Sequence, residues 1–344
     1  MTMRELAKLA GVSQATVSLA LRNHPRISAA TKAKVVRLVR KHKYVVDGRV
    51  SELMGSIRTH ATNQLTGCLG LISLYPEEHP WLNINRHPHL ALLHQCMVQR
   101  ASELGYRIEP FWVKNPAMKL GRLRGIMESR GIQGLLSLGA PDLEEELPDE
   151  LRRFVIVTQG ASISTKLHRI VSHFSHNATL LLTTLKARGY RRPGAVLQQF
   201  QDGRNEHIVA GMYLYFSRYF FDRLTIPILY SGTTVDPVAL GRWYRAHRPD
   251  VIIYADHSRH YEPIRGFLAE QQVCVPHDIG LAVLDASIHP TGISGVRQNV
   301  EQMAVSSVDM LVSRLQQGDT GLPKVPKVEC VDGDWIEGTT LRAP

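Results

Sequence analysis

The sequence predicts a small all-α head followed by a larger α/β body. Of the first 60 residues, 12 are Lys or Arg and three are acidic, while the whole chain of 344 residues carries a formal charge of +10. The positive charge is therefore concentrated at the N-terminal end, where apolar residues recur at helical spacing. After Gly67, apolar runs of strand length alternate with amphipathic stretches. This alternation is typical of doubly wound parallel sheets that are covered by helices on both faces.

Capping signals divide the head into three short helices. Thr2 and Glu5 have the spacing of a capping box at the start of the first helix. Gly11 is placed to end that helix, because glycine adopts a left-handed backbone at the lowest cost. Ser13 is placed to cap the second helix, and a third is expected after Ser28. Two helices joined by a tight turn, with a third beside them, indicate a helix-turn-helix DNA-binding domain at residues 1–45.

The second helix of this motif enters the major groove of DNA by its N-terminal end. The side chains expected to meet base edges are Gln14, Ala15, Ser18 and Leu19. Glutamine can bond adenine at two points, while alanine and leucine can pack on thymine methyl groups. The residues expected to hold phosphates are Thr2, Ser13, Thr16, Arg22, Arg26 and Lys32. The alternative interpretation is a generic three-helix bundle with a basic surface.

The head resembles the DNA-binding domain of the lac/gal repressor family of bacterial transcription regulators. The resemblance rests on ELAKLAGVSQATVSLAL, on Arg-Ile-Ser before the third helix, and on Thr31, Val35 and Tyr44. The family often has an arginine at the position of Leu19, where it helps to read the operator. Operator sequences of other members are therefore not transferred to this chain.

Residues 46–65 fall where this family has its hinge helix and linker. In the family two hinges of a dimer pair in the minor groove and insert a leucine into a central base step, a recognised way to bend DNA. Leu53 matches that leucine. The usual Pro-Asn start is Val46-Asp47 here, although Asp47 can still cap a helix. A plain flexible linker is the alternative.

The body, residues 66–344, resembles the two-lobe periplasmic-binding-protein-like domain of the same family. The matching segments are VPHDIGLAVLD, GISGVRQNVEQMAVSSVDMLVSRL and RGYRRPGAVL. The resemblance implies an effector-binding and dimerisation domain with a cleft between its lobes. It places lobe 1 at about 66–160 and 288–325, and lobe 2 at about 161–287 and 326–344, with chain crossings near 160, 287 and 326.

Family positions imply a set of effector-binding residues: Tyr75, His173, Arg204, Asp256 and Asp285. Asp256 lies where the family commonly bonds a sugar hydroxyl, but it could equally cap the following helix. Asp285 could bind a ligand or hold a crossover turn, and Tyr75 could stack on a sugar ring or pack in the core. The arginine common before the Gly-aromatic pair of the family is Ile208 here, and Arg204 or His207 is its candidate replacement.

Other site classes find little support in the sequence. His79, His87 and His89 are irregularly spaced, so no metal site is expected. No phosphate-binding loop, dinucleotide fingerprint or nucleophile motif is present, which indicates neither a cofactor nor an enzyme. The four cysteines are scattered, as expected of reduced thiols. No apolar run reaches the ~20 residues that a membrane span needs, and no secretory leader is recognised, so a cytoplasmic protein is expected.

These observations together favour a transcription regulator, specifically a repressor. A homodimer would bind a pseudo-palindromic double-stranded DNA operator, because the symmetry of protein and site would match. A small-molecule effector, for which a sugar is one candidate, would bind in the cleft and change the affinity for DNA. The alternatives are a regulator whose pocket is vestigial or takes a non-sugar ligand, a small-molecule transport protein, and an enzyme built on the two-lobe body.

Overall fold

The computed structural model describes residues 3–21, 27–41, 67–142, 145–221, 226–232, 234–254, 257–286 and 292–343. The expected hinge at residues 46–65, with Leu53, lies outside these ranges. Three helices form the head: α1 (Met3–Ala10), α2 (Gln14–Leu21) and α3 (Ala29–Lys41). No helix in the described part of the chain combines the length and the apolar character needed to cross a bilayer.

Local hydrogen bonds set the helix boundaries of the head. Gly11 ends α1 with a φ of 67°, in the left-handed region that glycine favours. The Ser13 hydroxyl accepts the backbone N–H of Thr16 at 3.0 Å, and the Ser28 hydroxyl accepts that of Thr31 at 3.3 Å, so both serines cap the helices that follow them. The three helices enclose a small core of buried side chains. Its members are Leu6, Ala7, Ala10, Val17, Ala20 and Val35.

The first sheet of the body has the strand order β11-β5-β4-β3-β1-β2, and every pair in it is parallel. Its strands are β1 (Gly67–Ser73), β2 (Tyr106–Trp112), β3 (Gly134–Ser137), β4 (Val155–Gln159), β5 (His168–Ser172) and β11 (Val328–Val331). Because β1, β3 and β4 are covered on both faces, their residues form nearly continuous buried runs.

The second sheet repeats this arrangement with the order β12-β10-β9-β8-β6-β7. Its strands are β6 (Pro193–Gln198), β7 (Leu229–Ser231), β8 (Val251–Tyr254), β9 (Gly280–Val283), β10 (Ser294–Arg297) and β12 (Asp334–Ile336). All pairs are parallel except β10 with β12, which is antiparallel.

Helices cover both faces of each sheet. They are α4 (Pro88–Glu103), α5 (Leu120–Ser129), α6 (Phe174–Ala187), α7 (Gln199–Arg204), α8 (Ile208–Tyr219), α9 (Pro237–His247), α10 (His257–Glu270) and α11 (Val300–Gln316). The helices α4 and α11 pack on one face of the first sheet and α5 on the other. The helices α6 and α8 pack on one face of the second sheet, and α9 and α10 on the other. The result is the two-lobe α/β fold that the sequence predicts.

The chain passes between the lobes three times, at Ser172–Phe174, Arg297–Val300 and Val331–Asp334. Each crossing lies later in the chain than residues 160, 287 and 326, where the resemblance places them. The positions of the crossings are corrected because strand pairing assigns three strands to a different lobe from the one expected. The strand β5 joins the first sheet beside β4, β10 joins the second beside β9, and β11 joins the first beside β5.

Hydrogen bonds tie the three crossings together. The backbone N–H of His173 donates to the carbonyl of Val331 at 2.8 Å. The Asn299 side chain donates to the carbonyl of Asp332 at 2.7 Å. Asn177 donates to the Ser172 hydroxyl at 3.0 Å and accepts the Gly333 N–H at 2.9 Å. The crossings therefore form one compact hinge between the lobes.

Candidate functional site

The first candidate surface is the N-terminal half of α2. Gln14 is exposed at its first turn, while Leu19 is half-buried rather than fully exposed. Ala15 and Ser18 belong to the same helix, but their side chains lie outside the described residues, as do Thr2, Arg22 and Arg26. The described side chains of α2 thus offer a polar residue and an apolar residue on one small helix.

Two of the expected phosphate ligands take part in the cap of α2. The hydroxyls of Ser13 and Thr16 lie 2.8 Å apart, and Ser13 also accepts the Thr16 backbone N–H. Lys32, near the start of α3, is half-buried. The Ser13 hydroxyl is thus held at the N-terminal end of α2. The free N–H groups at a helix N-terminus favour the binding of an anion such as a phosphate.

The second candidate site is a cleft of about 1810 Å³ between the two lobes of the body. Its walls come from the carboxyl ends of strands in both sheets, where open parallel sheets place their ligands. Of the residues expected to bind an effector, Tyr75, His173, Arg204 and Asp285 line this cleft. Asp256 lies outside the described residues.

Tyr75 forms part of the lobe 1 wall and is only 5% exposed. Its ring meets that of His87 edge to face, with centroids 5.3 Å apart. Burial raises the pKa of the Tyr75 phenol, and the nearby Arg204 guanidinium partly opposes this. The ring is therefore packed against lobe 1 while its hydroxyl lies close to a cation of lobe 2.

Two buried glutamines that the sequence analysis did not single out also line the cleft. Gln159 ends β4 and is 6% exposed; Gln198 ends β6 and is 4% exposed. Gln159 donates through Nε2 to the Met303 carbonyl at 3.1 Å and to the Ser307 hydroxyl. The Oε1 atoms of both glutamines have no hydrogen-bond partner. The signal that could have identified these two glutamines in the sequence was a polar residue at the end of an apolar strand.

A third group of polar side chains lies in lobe 2 around Asp202. The buried carboxylate of Asp202 accepts hydrogen bonds from the Tyr230 hydroxyl at 2.9 Å and pairs with His207 Nδ1 at 2.8 Å. Burial, followed by the hydrogen bond to Asp202, raises the pKa of Tyr230 to about 12. His207 is thus engaged with Asp202, which leaves Arg204 as the cleft residue of the two candidate replacements.

The head carries a recognised family signature. Residues 2–47 match the family of bacterial regulatory proteins named for lacI. This stretch contains α1, the turn at Gly11, α2 and α3. The match covers the helix-turn-helix head and ends before the body.

Solved transcription regulators share the fold of all or most of this chain. A regulator in complex with cellobiose is 19% identical, with a TM-score of 0.61 and 99% of each chain covered. A lac repressor dimer bound to operator and the anti-inducer ONPF is 16% identical, with a TM-score of 0.57, covering 100% of this chain and 99% of that one. A regulator from Alkaliphilus metalliredigens with D-xylulofuranose is 14% identical, with a TM-score of 0.56, covering 80% and 99%.

At these identities the likeness shows the fold: a helix-turn-helix head with a periplasmic-binding-protein-like body. No curated protein sequence matches the chain.

The three histidines of the segment 79–89 have different surroundings. His87 and His89 line the cleft, whereas the His79 ring packs beside Trp81 with centroids 5.1 Å apart. A separate trio meets at the hinge: His173, His176 and Asp332 offer ligand atoms within 4.8 Å of one another. Such a set could hold a transition metal, although the sequence indicated no metal site. The Asp332 carboxylate forms a hydrogen bond with His173 Nδ1 at 2.6 Å. This bond lowers the pKa of Asp332.

Proposed function

We propose that this protein is a transcriptional repressor of the lacI family that binds a pseudo-palindromic operator as a homodimer, under the control of a small molecule in the cleft. The observation that carries the proposal is the combination of a helix-turn-helix head with a two-lobe body whose cleft lies beside the three chain crossings. In this proposal residues 1–45 bind DNA, residues 46–65 form the hinge helix and linker, and residues 66–344 bind the effector and dimerise. The cleft binds its ligand without catalysing a reaction.

In the head, α2 lies in the major groove of each half-site. Gln14 is exposed at its N-terminal turn and bonds an adenine edge, while Leu19 packs on a thymine methyl group one turn further on. Ala15 and Ser18 contribute the neighbouring base contacts. Because Leu19 is apolar, it selects bases without adding to the salt-dependent part of the affinity.

Phosphate contacts orient the head on the duplex without reading its sequence. We assign them to Thr2, Ser13, Thr16, Arg22, Arg26 and Lys32. Ser13 caps α2 and Lys32 lies in the first turn of α3, so their contacts would hold α2 at a fixed depth in the groove. Leu53 from each subunit wedges into the central base step.

In the body, closure of the cleft around a small molecule moves one lobe against the other about the crossings. Tyr75, His173, Arg204, Asp256 and Asp285 form the binding site. Relatives of this fold were solved with cellobiose, with ONPF and with D-xylulofuranose. A ligand that weakens the DNA complex must itself be weakened by DNA, because the coupling between two sites is reciprocal.

Selection from randomised duplex DNA with the full-length protein at physiological salt tests this function. The expected product is a small set of sites with two half-sites related by a two-fold axis. Gln14→Ala should relax the preference at one position of each half-site and leave the spacing of the half-sites unchanged. Enrichment of no symmetric site would contradict the proposal.

A further inference from the structure

Arg204 is a cation of lobe 2 that reaches across the cleft. It ends α7, and its guanidinium lies over the Phe200 ring at 5.7 Å from the centroid. Its Nη2 atom is 4.0 Å from the position that a Cβ on Gly160 would take, directly after β4 of lobe 1. The positive charge therefore stands between the two lobes, where a ligand in the cleft would meet it.

No carboxylate among the described residues pairs with Arg204. The nearby acid on the same helix is Asp202, whose bonded oxygen is shared by His207 and Tyr230. Burial lowers the pKa of Arg204, and only the Tyr75 phenol opposes that effect. A desolvated cation without a counter-charge costs free energy that a bound anion would recover.

Lobe 1 places a second desolvated arginine in the same cleft. Arg169 lies on β5, and its Nη2 donates to the carbonyls of Ile163 at 2.6 Å and Thr165 at 3.1 Å. Burial lowers its pKa, partly offset by attraction to Glu206. Its hydrogen bonds fix the guanidinium without neutralising it, so both lobes bring positive charge to the cleft.

The buried glutamines specify a second property of the ligand. Gln159 Oε1 and Gln198 Oε1 are acceptors without partners, on side chains that are more than nine-tenths buried. An unsatisfied buried acceptor is costly, and a hydroxyl or amino group of a ligand would satisfy it. One glutamine comes from each lobe, so a ligand bonded to both would bridge the cleft.

We propose that the effector is a small polyhydroxylated anion, bound through its charge by Arg204 and through its hydroxyl groups by Gln159 and Gln198. Sugar acids and phosphorylated sugars share this chemistry. The inference rests on the proposed function in one respect, that the cleft holds the effector. An anion held at Arg204 and bonded to Gln159 of lobe 1 stabilises the closed arrangement of the lobes.

Inorganic phosphate is the first probe, because it tests the anion site without knowledge of the sugar. Full-length protein is titrated with phosphate at constant ionic strength, with chloride as the compensating anion, while heat release and thermal unfolding are recorded. Phosphate should bind and raise the unfolding temperature of the body. Arg204→Gln should weaken that binding about 10- to 100-fold, the usual loss for a hydrogen bond to a charged group. Equal binding by the wild type and Arg204→Gln would overturn the proposal, as would no binding to either.

The stability of the variants separates a ligand-binding arginine from a structural one. Arg188 is a matched control because its buried guanidinium pairs with Glu337 at 2.9 and 2.5 Å outside the cleft. Without phosphate, Arg188→Gln should lower the unfolding temperature, whereas Arg204→Gln should leave it unchanged or raise it. Arg188→Gln should bind phosphate as the wild type does. A lower unfolding temperature for Arg204→Gln would assign Arg204 to the structure and overturn the proposal.

A second titration identifies the source of the anion and tests the function separately. Glucose, gluconate and glucose 6-phosphate are added to the complex of the protein with its selected operator. Tighter binding of either anion than of glucose is expected, with gluconate indicating a carboxylate and glucose 6-phosphate a phosphate. If glucose releases the operator as well as gluconate and glucose 6-phosphate do, the proposed regulation is supported and the proposed anion site is contradicted. If anions bind through Arg204 but the operator affinity never changes, the anion site stands and the proposed regulation fails.

Discussion

In the head, Gln14 and Leu19 come from one helix of eight residues, whereas in the body Gln159, Gln198 and Arg204 come from two strands and a helix in two lobes. The head holds its surface over a core of six buried side chains among the described residues. The body holds its cleft between four larger clusters. A compact local site depends on one small core, while a site assembled from distant segments depends on large cores that tolerate single losses.

The same substitution in the two cores should therefore have unequal consequences. Leu6 in α1 and Leu136 in β3 are both fully buried. Replacing a buried leucine by alanine costs about 2–5 kcal/mol in either place. Because a small domain has little stability to spare, Leu6→Ala should unfold the head and abolish operator binding while phosphate binding persists. Leu136→Ala should keep both at 25 °C and lower the melting temperature of the body. Operator binding retained by Leu6→Ala would mean that the head draws stability from beyond its own core.

A surface substitution in the head should change specificity more than affinity. Leu19→Arg places a bidentate donor where an apolar side chain stood, and such a donor discriminates bases by roughly 1–3 kcal/mol. The preferred base at one position of each half-site should change in a selection experiment. Leu9→Arg is the control, since Leu9 is 52% exposed on α1, which lies outside the groove in the proposed complex. Identical selected sites for wild type and Leu19→Arg would show that Leu19 does not touch bases.

The body should be sensitive to acid at a place that joins distant strands. His168 is buried in β5, and its Nδ1 accepts the backbone N–H of Lys327, just before β11, at 2.9 Å. Burial and the nearby Arg314 lower the pKa of His168. The stabilising contribution is therefore complete above the unfolded-state pKa of about 6.5 and is lost as the pH falls below that value toward the folded-state pKa.

The expected loss is about 0.5–1.5 kcal/mol, the net value of one hydrogen bond. It would be measured as the free energy of unfolding between pH 7.5 and 5. His168→Gln should remove this part of the pH dependence, because an amide does not titrate in that range. An unchanged pH profile in the variant would assign the acid sensitivity to other groups.

The smallest expected effect concerns Lys32, which we propose as a phosphate ligand of the head. Lys32→Gln should reduce the slope of the logarithm of affinity against the logarithm of salt by about one unit and leave the selected sequence unchanged. Lys324→Gln, an exposed lysine of the body, is the matched control and should keep the wild-type slope. A changed base preference in Lys32→Gln would move Lys32 from orientation to readout.

The sequence by itself determined the head. Gly11, Ser13 and Ser28 act through hydrogen bonds to residues at most five positions away, so local pattern was sufficient to locate the three helices. Alternating apolar runs likewise determined the α/β class of the body, because the period of burial belongs to each strand and helix. The resemblance also placed Tyr75 and Arg204 at the cleft, which they line.

Tertiary structure alone decided the crossings, the partners of the cleft residues and the trio at the hinge. The strand β11 belongs to lobe 1 because it pairs with β5, which lies more than 150 residues earlier in the chain. His173 meets Asp332 through the same pairing. The hydrogen-bond and ion-pair partners of Gln159 and Arg204 depend on which side chains of other segments lie next to them. Such contacts follow from the packing of whole sheets and leave no period in the sequence, so only the assembled fold could supply them.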